Sequence, residues 1–210
     1  SSTMQITSAM KMVSAAKLKK AQDAITAMRP YSNKLTELLQ SLSATLDADS
    51  GSKYAVQRDV KNVLVVAITS NRGLCGAFNS NIIKQTNVLI NDVYGDKEVS
   101  VLAIGKKAND AFTKQNRVIA NKSEVFDDLT FDNVAEIAEM LMEKFVEGDF
   151  DKIELVYNNF KNAATQIIMT EQFLPIVPIE DEKNINLDYL FEPSKQEIVE
   201  TLIPKSLKTQ

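Results

Sequence analysis

No histidine occurs among the 210 residues, so the commonest catalytic base and zinc ligand is missing from any site this chain could build. Cysteine is almost as scarce, with Cys75 alone. A single cysteine excludes an internal disulfide and a cysteine-cluster metal site, and points to a reducing compartment. No apolar run approaches the roughly 18 residues of a membrane-spanning helix. The longest, Val63 to Ile68, has the length of a strand, so any membrane role is peripheral. The opening Ser1-Ser2-Thr3-Met4-Gln5 has neither the charged start nor the apolar middle of a signal peptide, and the absence of an initial Met points to a trimmed fragment. With 44% hydrophobic residues the chain can still bury a full core, in one or two domains.

What is present begins with one long helix, Ser1 to about Leu46. Apolar residues fall at Ile6, Met10 and Val13, then at Ala24, Met28, Tyr31, Leu35, Leu38 and Leu42, in steps that alternate between three and four. Such a narrow seam tracks a period near 3.5 and predicts a coiled-coil partner helix. Lys17 and Lys20 stand where the register would put apolar residues, with Lys11 and Lys19 beside them. A permanently buried interface would not take these charges. Residues 1–30 carry Lys11, Lys17, Lys19, Lys20 and Arg29 against Asp23 alone, a local excess of +4 in a chain whose net charge is -4. The bland reading is a solvated helix face; the sharper one is an acidic partner. Pro30 interrupts the helix, but the apolar spacing continues on both sides, so a kinked helix is expected to run on until Asp47 to Ser52 end it.

From Lys53 short apolar strands alternate with helical segments, the pattern of a parallel α/β sheet. Strands are expected at Val63–Ile68, Val99–Ile104, Arg117–Ala120, Lys152–Tyr157 and Gln166–Ile176, and helices at Asn81–Val93, Lys106 to about Gln115, and Phe131–Glu147, the last stopped at Gly148. A short turn from Asn158 to Thr165 would make the last two strands a hairpin. The fold class is therefore α/β: a long N-terminal coiled-coil helix plus a Rossmann-like, five-stranded, mostly parallel sheet with flanking helices. Its expected divisions are residues 1–52, 53–180 and 181–210, the last a polar loop with the start of a helix near Pro204.

The loop Thr69 to Asn79, between the first strand and its helix, lies where doubly wound sheets bind ligands. Gly73-x-x-Gly76 fits neither a P-loop nor a dinucleotide loop, so a tight turn is preferred, with both glycines in backbone shapes closed to other residues. Cys75 lacks an activating histidine and is read as a small buried residue. The acidic residues Glu124, Asp127, Asp128 and Asp132 lack calcium-loop spacing, and helix capping accounts for much of them. No catalytic, cofactor or metal residue is assigned. Few base-stacking aromatics accompany the lysines, which argues against nucleic acid.

Three segments in order carry a resemblance: Ile6-Thr7-x-Ala9-Met10-Lys11-Met12-Val13-x-Ala15-Ala16-Lys17-Leu18-x-Lys20-Ala21, then Arg29-Pro30-Tyr31, then Thr69-Ser70-x-Arg72-Gly73-Leu74-Cys75-Gly76. With Ile179 and Asp188-Tyr189-Leu190-Phe191-Glu192-Pro193, they make the whole chain similar to the gamma-subunit family of F-type ATP synthases. The resemblance implies a non-catalytic rotor shaft coupling proton flow to ATP synthesis or hydrolysis, without cofactor. It implies partners in the alpha, beta and epsilon subunits and the c-ring, and a peripheral place on the cytoplasmic face of a bacterial inner membrane. Met10, Lys11, Val13, Lys17 and Lys20 would face the alpha/beta head, and Tyr189 and Glu192 would meet the c-ring and epsilon. It further implies a second long helix beyond the Pro204 region and a clipped N-terminus, so an uncovered seam would drive self-association or leave the first helix frayed. The alternative is a free-standing small-molecule-binding α/β domain with a helical oligomerisation arm.

Overall fold

The computed structural model describes residues 2–44, 53–162, 165–177 and 202–208. Helix α1, Ser2–Ala44, continues through Pro30. Five strands follow, β1 Asn62–Ile68, β2 Glu98–Ile104, β3 Val118–Asn121, β4 Lys152–Asn162 and β5 Thr165–Leu174, with helices α2 Phe78–Val88, α3 Lys106–Thr113 and α4 Phe131–Glu147 between them. The sheet order is β3-β2-β1-β4-β5, parallel except for the antiparallel β4–β5 pair. The fold class expected from the sequence is the one observed. A short helix over 202–207 packs back on the sheet through Ile203 and Leu207, and it is already helical at 202, ahead of Pro204.

Alternation along the strands sorts the core into two layers. Leu64, Val66, Leu102, Ile153 and Leu155 face α4, where Ile137, Leu141, Met142 and Phe145 cover them. Val63, Val65, Ala67, Val101, Ala103 and Val156 face Ile82, Leu89, Ile90 and Phe112 on the other side. Because β1 is central and covered on both faces, it reads as an unbroken apolar run rather than an alternating one. Each buried branched or aromatic side chain contributes about 1.5–3 kcal/mol, and the sheet's stability rests there. Helix α4 has the bounds its ends dictate. The Thr130 hydroxyl accepts from Asn133 N at its start, and Gly148, at φ +86°, closes it in the left-handed conformation that glycine adopts freely.

Two features depart from the sequence reading. Helix α2 begins three residues earlier than expected and ends in a π turn, Leu89–Val93, where Tyr94 N donates to Leu89 O at 2.8 Å. The polar stretch from Asn158 is strand rather than turn. β4 continues to Asn162, which pairs with Thr165, because cross-strand hydrogen bonds override the weak strand preference of Asn158, Asn159 and Lys161.

Next to the π turn, Tyr94 reaches into the sheet. Its hydroxyl donates to Glu154 Oε1 at 2.6 Å, and Lys152 Nζ lies 3.1 Å from the same oxygen. Glu154 is 7% exposed, and these two partners offset the cost of burying its polar oxygen. Burial pushes the Tyr94 phenol above its ordinary 10.0, and the hydrogen bond to Glu154 adds to the shift. The Tyr157 phenol, donating to Glu171 Oε2 at 2.8 Å, is raised for the same two reasons in the same order. Tyr94→Phe is expected to cost about 1–3 kcal/mol in chemical denaturation, since it strips a donor from a buried carboxylate. A phenol raised in the folded state ionises more readily once unfolded. The stability from both tyrosines is thus fully present below pH 10 and lost as pH rises through their folded values. Denaturation midpoints that stay flat above pH 10 would contradict this.

Candidate functional site

The loop after β1 is wound around one buried side chain, Asn79. Its Oδ1 accepts from Ser70 N at 2.9 Å, while its Nδ2 lies 3.0 Å from both Arg72 O and Cys75 Sγ. Gly76 takes φ +59° as expected, but the other left-handed residue is Leu74 at +58°, not Gly73. Cys75 is exposed rather than buried, because the turn that Asn79 holds together lies at the surface. Behind it the loop is pinned to the next crossover. Thr69 N donates to Ile104 O at 2.8 Å, Thr69 Oγ1 accepts from Ala108 N, and Asn71 Oδ1 accepts from Lys106 N, each of the last two at 2.9 Å. Gly105, at φ +109°, lets these backbones meet, since a Cβ there would overlap Thr69 O. Amides that a phosphate would need at the start of α3 are therefore already bonded within the chain.

In an open parallel sheet the ligand crevice lies where strand order reverses, here between β1 and β4. Two parts of the chain come together beside that place. β4 pairs with β1 only as far as Val156, so from Tyr157 onward β4 and β5 form a two-stranded ribbon projecting past the sheet. Asn158 Nδ2 donates to Phe78 O at 3.0 Å, tying the ribbon to α2. From α1, Arg29 Nη2 donates to Asn159 Oδ1 at 3.3 Å and to Phe160 O at 3.2 Å. An apolar groove of about 230 Å³ beside α4 has Lys208 as its one polar lining residue, and that ammonium pairs with Glu139. Among the described residues, neither place presents a nucleophile with a base.

The remaining candidates lie on α1. Met10, Lys11, Val13, Lys17 and Lys20 are all exposed, as is every described residue from Ser2 to Tyr31. Met10, Val13, Lys17 and Lys20 follow one row of the helix at steps of three and four, with Lys11 beside it, so the structure brings these five together over about 15 Å. Tyr189 and Glu192 lie outside the described residues, as do the turn residues Asp47 to Ser52. Sequence reading passed over Asn79 as a keystone and Asn159 as a docking point. A buried asparagine in a loop of polar residues carries no spacing signal, and the Arg29 contact spans 130 positions.

A family model described as ATP synthase matches residues 1–210. The ATP synthase gamma chain of Flavobacterium psychrophilum is 69% identical, over all of this chain and 73% of its own length. The chain belongs to the ATP synthase gamma family. A second gamma chain, from Flavobacterium johnsoniae, is 67% identical with the same coverage. Among solved structures, a chain of the Tetrahymena thermophila mitochondrial ATP synthase central stalk and c-ring superposes with a TM-score of 0.67 at 21% identity. The match covers 97% of this chain and 88% of that one, and shows the shared fold. Family membership makes the chain a component of the ATP synthase complex, and it disfavours the free-standing small-molecule-binding domain.

Asn79→Ala leaves Ser70 N and the Arg72 carbonyl without their partner at a cost of about 1–3 kcal/mol. Trypsin is expected to cut after Arg72 faster in this variant than in the parent, while the far-ultraviolet circular dichroism stays the same. Equal cleavage rates would show that Asn79 does not hold the loop.

Proposed function

We propose that this chain is the central rotor shaft of an F-type ATP synthase, turning inside the alpha/beta head so that proton flow through the c-ring drives ATP synthesis, or hydrolysis drives the reverse. In this reading it is non-catalytic, and ATP chemistry belongs to the alpha and beta subunits. Helix α1, with residues up to 52, is the shaft, and residues 53–180 are the foot. The observation that carries the reading is the surface of α1. A helix of 43 residues keeps Ile6, Met10, Val13, Met28 and Tyr31 exposed, and a helix is held mostly by burial of its apolar stripe. A second helix of the stalk, packed antiparallel on this seam, would supply that burial.

Along the same helix Met10, Lys11, Val13, Lys17 and Lys20 face the alpha/beta head. A shaft must bind its ring without settling in one orientation. Solvated ammonium groups meeting acidic loops suit this better than a large apolar interface, because exposed ion pairs are weak and screened by salt. Tyr189 and Glu192, in the segment that follows the foot, meet the c-ring and the epsilon subunit. Among the described residues no helix is long and apolar enough to cross a membrane. The attachment proposed is peripheral, on the cytoplasmic face of a bacterial inner membrane, through the complex.

Mixing the chain with the epsilon subunit from the same source and measuring mass by light scattering on a size-exclusion column is expected to give a stable one-to-one complex. No complex, together with saturable nucleotide binding to a folded chain, would overturn the rotor reading. Within the assembled synthase, Met10→Lys is expected to lower coupling more than it lowers folding stability, because it adds charge where α1 slides past the head. Equal losses in both would remove Met10 from that contact.

A further inference from the structure

The ribbon beyond Tyr157 has no sheet neighbour on its β4 side, and two strands alone are marginal in water. Its faces are nevertheless braced. Asn158 holds the face toward α2, and Gln85 Nε2 on α2 donates to Thr170 Oγ1 at 3.2 Å. On the opposite face Tyr157 donates to Glu171, and Arg29 docks on Asn159 and the Phe160 carbonyl. The guanidinium lies close enough to Tyr157 that its charge opposes the rise of that phenol's pKa. Arg29 is followed directly by Pro30, the α1 position that lacks a backbone N–H and where a long helix bends most easily.

We propose that Arg29 is the positioning residue that pins α1 to the β4–β5 ribbon, making the ribbon the joint through which torsion passes between the shaft helix and the sheet. A planar guanidinium suits the task. It addresses the Asn159 side chain and the Phe160 backbone at once, and so fixes an orientation rather than only a distance, which an ammonium cannot do. The ribbon in turn is fixed to α2 at Phe78 and Gln85 and to the sheet through β4, so a twist of α1 is handed to two elements of the foot.

The proposal rests on the rotor reading for its use of the joint, and its test separates the two. Spin labels at Cys75 and at an introduced Gln22→Cys report the distance between α1 and the β1–α2 loop in this chain alone. A narrow distance distribution is expected with Arg29 present, a broad one in Arg29→Ala, and partial recovery in Arg29→Lys. Asn159→Ala should add little once Arg29 is gone. An Arg29→Ala distribution as narrow as the parent's would overturn the joint, whatever the protein's role. In the assembled synthase, Arg29→Ala is expected to keep ATP hydrolysis and lose part of the proton pumping that hydrolysis drives. Full pumping with a loosened α1 would refute transmission through Arg29. Failure of the unsubstituted chain to support pumping at all would strike the rotor reading itself, while the spin-label distances would still report on the joint.

Discussion

An apolar seam that α1 leaves exposed between Ile6 and Tyr31 is the constraint from which the rest of the molecule takes its form. The five strands of the sheet bury both faces, one under α4 and the other under α2 and α3, and neither core layer includes a described side chain of α1. The long helix therefore carries exposed Met10, Val13, Met28 and Tyr31 for use outside this fold. An exposed apolar stripe interleaved with lysines is costly to keep unless assembly supplies a partner that covers the stripe and leaves the charges in water. Membership of the gamma family supplies a complex in which such a helix has a use.

The same economy is visible in the places where doubly wound sheets commonly bind ligands. At the β1–β4 reversal the chain's own ribbon projects past the sheet and is tied to α2. The amides at the start of α3 are bonded by Thr69 and Asn71. Asn79 folds the glycine-containing loop into a surface turn and leaves Cys75 exposed. Positions that would cradle a phosphate in an enzyme of this architecture serve here to tie one crossover to the next. Fold alone would have predicted a nucleotide, whereas the residues at the site argue for mechanical continuity.

Much of this was legible in order along the chain, wherever local chemistry decides the outcome. Thr130 and Gly148 bound α4 because a cap and a left-handed stop act within one turn, and β1 announced itself as a run buried on both faces. The misses share a different cause. Asn158 to Asn162 form strand because β5 pairs with them, a partner supplied by the hairpin and not by their own propensity. The π turn brings Tyr94 to Glu154, 60 positions away, and nothing in Leu89–Val93 signals that need. Glycine spacing placed the tight turn correctly but could not say that Leu74 rather than Gly73 would take the left-handed shape, nor that the turn would leave its cysteine in solvent. Arg29 was visible within a motif, while its partner at Asn159 was not.

The most direct measurement of the central claim uses Cys75, the one cysteine of the chain and exposed. A bead tethered there, on the synthase assembled with surface-fixed alpha and beta subunits, reports whether this chain moves while ATP is consumed. The account predicts steady rotation in a single direction that stops when ATP is withdrawn. A complex that hydrolyses ATP at its full rate while the bead stays still would contradict it.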